Sequence, residues 1–149
     1  MIEVQNMKFV ILTYPQLKDD GDLLSNNYVD CSGWGHLRVL IILGTIDAPL
    51  GSTAEGTAPY VEQCDTVDGS YTKVTDAELA AAIANTKSGK VYAIDVKLTK
   101  NHKRFLRLNA PHAGNGTNGV NAAVVGILSR PEIGPKNAAG QELEEHITA

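Results

Sequence analysis

The sequence predicts an all-β protein folded as a jelly-roll-like antiparallel β-sandwich. Short apolar or alternating segments recur along the chain, and turns rich in Gly, Asn and Asp separate them. About eight strands joined in this way favour two packed sheets, because double-sheet packing leaves fewer exposed strand edges. An immunoglobulin-like sandwich is the alternative fold, but the Cys-Trp-Cys spacing typical of that family is missing.

The predicted strands differ in how their two faces are patterned. Segments 36–46 and 120–129 are apolar on both faces, so each is expected to be a central strand or to contact another subunit. Segment 91–98 alternates between apolar and polar residues, as a half-buried strand does. The predicted strands are 8–13, 28–31, 36–46, 58–64, 71–74, 91–98, 103–109 and 120–129.

Turn residues set the predicted strand boundaries. Pro15 is expected to close the first strand and Pro111 to break the seventh, because proline cannot donate a ladder hydrogen bond. Asp68-Gly69 has the composition of a hairpin turn. Segment 47–59 has no periodicity and is predicted to be a long loop of the kind that is often functional or mobile.

One short helix is predicted near residues 76–86. Thr75 and Glu78 have the spacing of a capping box, in which the hydroxyl and the carboxylate each bond a backbone amide at the helix start. The alanine-rich run that follows has high helix propensity, and Ser88-Gly89 would end the helix.

Chain length and charge limit the classes of protein and partner. The 149 residues are expected to form one domain at 1–131, with a possible N-terminal arm at 1–7 and a tail or arm at 132–149. A formal charge of −4 argues against nucleic acid as a partner, because backbone binding needs clustered cations. The longest apolar run is too short to cross a bilayer, so no membrane contact is expected.

No catalytic, cofactor-binding or metal-binding pattern stands out. The sequence has no Gly-rich phosphate loop and no nucleophile elbow. Its four histidines lack the close spacing of a metal site. Cys31 and Cys64 are expected to be reduced, strand-borne side chains, with a disulfide as the alternative. The protein is therefore expected to be non-enzymatic and to carry no cofactor.

Trp34 lies in a Gly-flanked turn and has two interpretations. An exposed indole could stack on a sugar, as in carbohydrate-binding modules. Aromatic residues make up only 5% of the chain, however, so packing of Trp34 over one end of the sandwich is the favoured reading.

Four segments in order resemble a widespread family of small tailed-phage structural proteins, the capsid decoration (cement) proteins. They are LRVLIILG (37–44), VEQCDTVDGSYTKV (61–74), KRFLRL (103–108) and AAVVGILSRP (122–131). The long 47–59 loop and the acidic tail depart from the family pattern. The resemblance implies a β-sandwich on the outer surface of an icosahedral head, made in the host cytoplasm. It also implies that the protein binds junctions between major capsid protein subunits and self-associates as a dimer or trimer.

An interface of this kind is expected to use apolar and arginine anchors surrounded by a polar rim. The candidate interface residues are Trp34, Leu40, Ile42, Arg104, Phe105 and Arg130. Segments 1–7, 47–59 and 132–149 are expected to reach the capsid or neighbouring copies. The alternatives are a tail or head-tail completion protein and a carbohydrate-binding adhesion module.

Overall fold

The computed structural model describes residues 6–18, 21–24, 27–52, 56–113 and 119–131, which form two packed antiparallel sheets. The strands are β1 (Met7–Lys18), β2 (Gly21–Leu24), β3 (Val29–Asp30), β4 (Trp34–Ile46), β5 (Tyr60–Cys64), β6 (Thr72–Glu78), β7 (Val91–Lys97), β8 (Phe105–Ala113) and β9 (Val120–Pro131). The four-stranded sheet has the order β1-β9-β4-β7. The five-stranded sheet has the order β2-β8-β5-β6, with β3 also paired to β8.

The strand pairs are nested like those of one long hairpin that has been rolled up. β1 pairs with β9, β2 with β8, β4 with β7, and β5 with β6, all antiparallel. Two further pairings, β4 with β9 and β5 with β8, join these strand pairs into the two sheets. This connectivity is that of a jelly roll, so the predicted fold class is confirmed. The turn at Asp68 and Gly69 lies at the tip of the rolled hairpin, where the sequence places it.

The core lies between the sheets and is built from alternate residues of each strand. Leu37, Val39 and Ile41 of β4 are fully buried, and Leu106 and Leu108 of β8 are fully buried on the opposite sheet. Because side chains of a strand alternate between its faces, the intervening residues of each strand point away from the core.

The predicted helix at 76–86 is wrong. The segment up to Glu78 belongs to β6, and the described residues after it form turns and one isolated bridge between Ile83 and Leu50. Both of these side chains are almost completely buried. Helix propensity is a weak preference, and burial of Ile83 against Leu50 while the chain crosses between sheets overrides it. Thr75 and Asp76 lie within β6, where Asp76 has a positive φ of 62°.

The two prolines expected to end strands lie inside strands instead. β1 continues through Pro15, where its register against β9 shifts twice, between Ile11 and Thr13 and again before Gln16. β8 continues through Pro111, which falls at the register shift between β8 and β2. Both sites are bulged, and a bulge frees the strand from needing a ladder hydrogen bond at proline.

The predicted long loop at 47–59 is anchored at several points. Leu50 bridges Ile83, and Ser52 bridges Thr57. The amide of Asp47 donates to the carbonyl of Gly119, and the Asp47 carboxylate accepts from the Gly119 amide at 2.7 Å. Residues 53–55 of this loop lie outside the described residues, as do most of the predicted N-terminal arm (1–5) and the tail at 132–149.

Gly51 offers a test of this anchoring. Its φ is +99°, and an added Cβ would lie 2.6 Å from the Thr57 carbonyl oxygen and 2.8 Å from the Ala82 Cβ. Gly51→Ala should therefore lower the free energy of unfolding by about 3 kcal/mol or more, from backbone strain plus overpacking. Gly89→Ala is the matched control, since its φ of +71° adds strain with no heavy atom within 4 Å. Urea unfolding should show a loss of only about 1–2 kcal/mol for the control; equal losses would contradict this account.

Candidate functional site

The outward face of the five-stranded sheet is charged, and its charges are paired with each other. The Glu62 side chain is 5% exposed and accepts from the Arg107 guanidinium at 2.5 Å. The same guanidinium stacks over the Tyr71 ring, 3.8 Å from its centroid. On the neighbouring strand β6, Lys73 pairs with Glu78 of the same strand. This face is therefore suited to water.

The outward face of the four-stranded sheet is apolar. Among the side chains that the structure describes, which do not include Leu23 and Leu24 of β2, every exposed large hydrophobic one belongs to a strand of this sheet. They are Phe9, Ile11, Tyr14 and Leu17 of β1, Ile42 of β4 and Val91 of β7. Single exposed hydrophobic residues are ordinary on protein surfaces, whereas a group on one sheet makes that sheet the candidate interaction surface.

Strand register brings four of these exposed side chains into rows with half-buried apolar neighbours. The four are Phe9, Ile11, Ile42 and Val91. One row runs across all four strands through Ile11, Val125, Leu40 and Ala93. The next row contains Ala123, Ile42 and Val91, and the preceding row begins with Phe9 and Ile127. We call this surface the apolar face: Phe9, Ile11, Leu40, Ile42, Val91, Ala93, Ala123, Val125 and Ile127. Four strands at their usual spacing of ~4.8 Å make it about 19 Å wide.

Polar side chains border one end of the apolar face. Arg38 donates two hydrogen bonds to the Asp95 carboxylate, at 2.8 and 2.9 Å. These hydrogen bonds hold the pKa of Asp95 below its ordinary value. His36 lies 3.2 Å from Asp95 on one side and 3.2 Å from the Ser129 hydroxyl on the other. An apolar centre with a polar border is the arrangement found in protein–protein interfaces.

The border brings Ser129, His36 and Asp95 together, so a serine-type nucleophile has to be considered. The Asp95 oxygens are already bonded by Arg38, which competes with the histidine for the carboxylate. Ser129 lies in β9, an interior strand paired on both sides, so the neighbouring backbone amides are used in the sheet. His36 and Ser129 are direct cross-strand neighbours, and a hydrogen bond between such neighbours is ordinary in a sheet. The trio reads as a polar ladder, because it lacks the free amides that an oxyanion needs.

The predicted interface residues fall in two different places. Leu40 and Ile42 lie side by side on the apolar face. Arg104 and Phe105 lie at the start of β8 on the other sheet, where Arg104 makes two hydrogen bonds to Asp30, at 3.0 and 2.8 Å. These hydrogen bonds hold the pKa of Asp30 below its ordinary value. Of these four residues, Leu40 and Ile42 therefore lie on the apolar face, and Arg104 and Phe105 do not.

Trp34 and Arg130 lie near each other at one end of the sandwich. Trp34 begins β4 and is only 6% exposed, so its indole cannot offer a face to a sugar. This burial supports the expectation that Trp34 packs over one end of the sandwich. Arg130 is exposed and has a φ of 55° just before the end of β9. Its carbonyl oxygen lies 3.1 Å from where a Cβ on Gly35 would stand, so β4 and β9 approach closely here.

Sequence reasoning found two strands of the apolar face and missed the other two. The two-faced patterns of β4 and β9 indicated their outward apolar residues. Phe9 and Ile11 were missed because their strand was not recognised as a neighbour of β9. Val91 and Ala93 were missed because they share their face with Asp95, which marked that face as polar. The sequence of β1 did indicate apolar residues on both of its faces. Phe9 and Ile11 alternate with Val10 and Leu12 in segment 8–13.

Comparison with other proteins gives no family for this chain: no protein-family model matches it, and no curated protein is detectably similar in sequence. The described residues contain no helix with the length and apolarity needed to span a membrane. Within those same residues, no three side chains of the His, Cys, Asp or Glu type come together as metal ligands.

Both cysteines are buried free thiols. Cys31 follows β3, and Cys64 ends β5 beneath the hairpin turn. Burial raises the pKa of the Cys31 thiol to about 12, and the nearby Asp30 carboxylate adds to the increase. A thiol in this state is neutral at physiological pH and behaves as a small apolar side chain.

Because the pKa of Cys31 is raised by folding, the free energy of unfolding is expected to change with pH in the alkaline range. Above about pH 9 the thiol ionises in the unfolded chain but not in the folded one. The unfolded state therefore gains stability as pH rises from about 9 towards 12, and the free energy of unfolding falls. Urea titrations at pH 7, 9 and 10.5 should show a steeper alkaline loss for wild type than for Cys31→Ala, which keeps every other titrating group. Parallel pH dependence of the two proteins would show that Cys31 is not responsible.

Proposed function

We propose that this protein is a phage capsid decoration (cement) protein that binds the outer surface of the head and stabilises the shell. The observation that carries the proposal is the apolar face, which spans all four strands of one sheet and contributes nothing to the protein's own core. The jelly-roll sandwich and the resemblance of four segments to decoration proteins support the same role. The role is structural and non-catalytic, with the major capsid protein as partner.

The physical reason is the free energy of covering apolar surface. Removing apolar area from water contributes about 25 cal/mol per Å², and an exposed face of this width leaves that free energy available for association. A decoration protein that buries such a face across a junction between shell subunits adds interface that must be broken before the shell opens. Copies bound at symmetric positions can also contact one another, which is why a dimer or trimer is part of the proposal.

The polar border fits this arrangement. The Arg38–Asp95 pair and His36 lie where the apolar face meets solvent, and border charges of this kind set orientation more than affinity. The five-stranded sheet, with its paired charges, would then face outward from the particle. The alternative role, a tail or head-tail completion protein, uses the same kind of surface and differs in copy number.

The proposal predicts that a charge in the centre of the apolar face prevents binding to heads. Ile42→Lys should weaken binding by about 2 kcal/mol or more, about thirtyfold in Kd, because Ile42 lies among apolar neighbours on three strands. Thr72→Lys is the matched control, since Thr72 is an exposed strand residue on the other sheet. Heads assembled without the protein are incubated with each variant, and bound copies are counted by quantitative gel electrophoresis and electron cryomicroscopy.

Three outcomes separate the possibilities. The proposal is supported if wild type and Thr72→Lys cover the whole shell and little Ile42→Lys binds. Binding only at a single vertex supports the head-tail completion alternative. Absence of wild type from heads, or full occupancy by Ile42→Lys, contradicts the proposed role of the apolar face. Circular dichroism of Ile42→Lys confirms that the variant is folded, as expected for a residue that is 39% exposed.

A further inference from the structure

A cleft of about 530 Å³ lies at the end of the sandwich where Trp34 is buried, away from the apolar face. Its walls include Lys100, Lys103 and Arg104, and its acidic lining residue is Asp65. The local excess of positive charge contrasts with the formal charge of −4 on the whole chain. Its volume falls within the range of about 300–1,000 Å³ typical of ligand sites.

Two cations of this cleft are paired with carboxylates, and Lys100 adds one positive charge beyond these pairs. Arg104 is bonded to Asp30, and Lys103 lies 3.7 Å from Asp65. Lys100 is exposed and forms no ion pair with any residue in the described ranges. The turn that carries it is fixed by hydrogen bonds between Thr99 and His102, including one from the Thr99 amide to the imidazole Nδ1 at 3.2 Å. An anionic ligand would therefore meet a largely preformed site.

The lining of the cleft also includes the apolar side chain of Leu98, which is half-buried. Trp34 and Cys31 line it too, but both are more than nine-tenths buried. A basic cleft with an apolar side chain in its wall suits a peptide that carries carboxylates around a hydrophobic side chain. The chain contains such a sequence at 142–145, Glu-Leu-Glu-Glu.

The end of β9 lies beside this cleft. Pro131, the last described residue, is paired with Trp34 in the β4–β9 ladder. Ten residues separate Pro131 from Glu142, and a segment of that length can reach up to about 36 Å when extended. Attachment so close to the site gives the segment an effective local concentration that can reach the millimolar range.

We propose that the cleft binds residues 142–145 of the same chain, with carboxylates facing Lys100 and Lys103 and with Leu143 against Leu98. The inference is independent of the proposed function. Docking in this way would join the C-terminal segment to the end of the sandwich by charge and by a small apolar contact.

The test uses the full-length, ¹⁵N-labelled protein and a variant in which Glu142, Glu144 and Glu145 are all changed to Gln. Trp34 is the single tryptophan, so its indole N–H is an unambiguous reporter within the cleft. We expect chemical-shift differences between the two proteins at Trp34, Lys100 and Lys103. Raising salt to about 0.5 M shortens the screening length to about 4 Å and should make the two spectra converge at these positions.

Charge reversal provides the specificity control. Lys100→Glu with Lys103→Glu should abolish the tail-dependent shifts, and adding Glu142→Lys with Glu144→Lys should restore them. Lys87→Glu with Lys90→Glu changes two exposed lysines outside the cleft and should leave the tail-dependent shifts intact. Identical spectra for wild type and the glutamine variant would overturn the proposal. Tail-dependent shifts that vanish on dilution would also overturn it, because they would place the segment in a neighbouring copy.

Discussion

The core of a two-layer sandwich can take only one face of each strand, and most of what this protein shows follows from that constraint. The inward residues of β4 and β9, such as Leu37 and Leu128, are fully buried between the sheets. Their outward neighbours, such as Leu40 and Val125, are apolar as well but lie on the opposite side of the backbone. Folding therefore leaves them only half-buried, and another molecule must cover them if they are to leave water completely.

The outward faces of the two sheets differ in the placement of their charged side chains. The five-stranded sheet places Glu62 and Arg107 side by side, where each offsets the desolvation of the other. The four-stranded sheet keeps its charges at one end, in the Arg38–Asp95 pair, and leaves the middle apolar. A sandwich that needed only to be stable and dispersed in water would have no reason for this asymmetry. The proposed function accounts for it, with an attachment surface on one side and a solvent surface on the other.

The sequence predicted the fold because periodicity reports which face of a strand is buried. Segments 36–46 and 91–98 were located almost to the residue for this reason. The helix failed because Thr75 and Glu78 satisfy a capping pattern locally, whereas the burial of Ile83 depends on Leu50, a distant residue that no local window contains. Strand ends at Pro15 and Pro111 failed for a related reason, since bulges are set by the partner strand.

The apolar face could be predicted only in part, because its continuity depends on strand order. Val91 and Ala93 become part of it when β7 pairs with β4, which the sequence alone does not specify. The same is true of Trp34, whose Gly-flanked position resembles an exposed turn until β9 is paired against the start of β4. Residue type identified Leu40 and Ile42 as outward apolar residues, and strand pairing supplied the neighbours that extend them into a surface.

The edges of the four-stranded sheet bear on how the proposed association would occur, because they disfavour the addition of another strand. Edge strands recruit other strands unless bulges, proline or charges prevent it. β1 carries Pro15 and two register shifts, and its Leu12 carbonyl already accepts a hydrogen bond from the Asn27 amide. β7, at the other edge, carries the exposed charges of Asp95 and Lys97. Because both edges disfavour strand addition, the apolar face between them is the surface through which this sheet would associate in the proposed role.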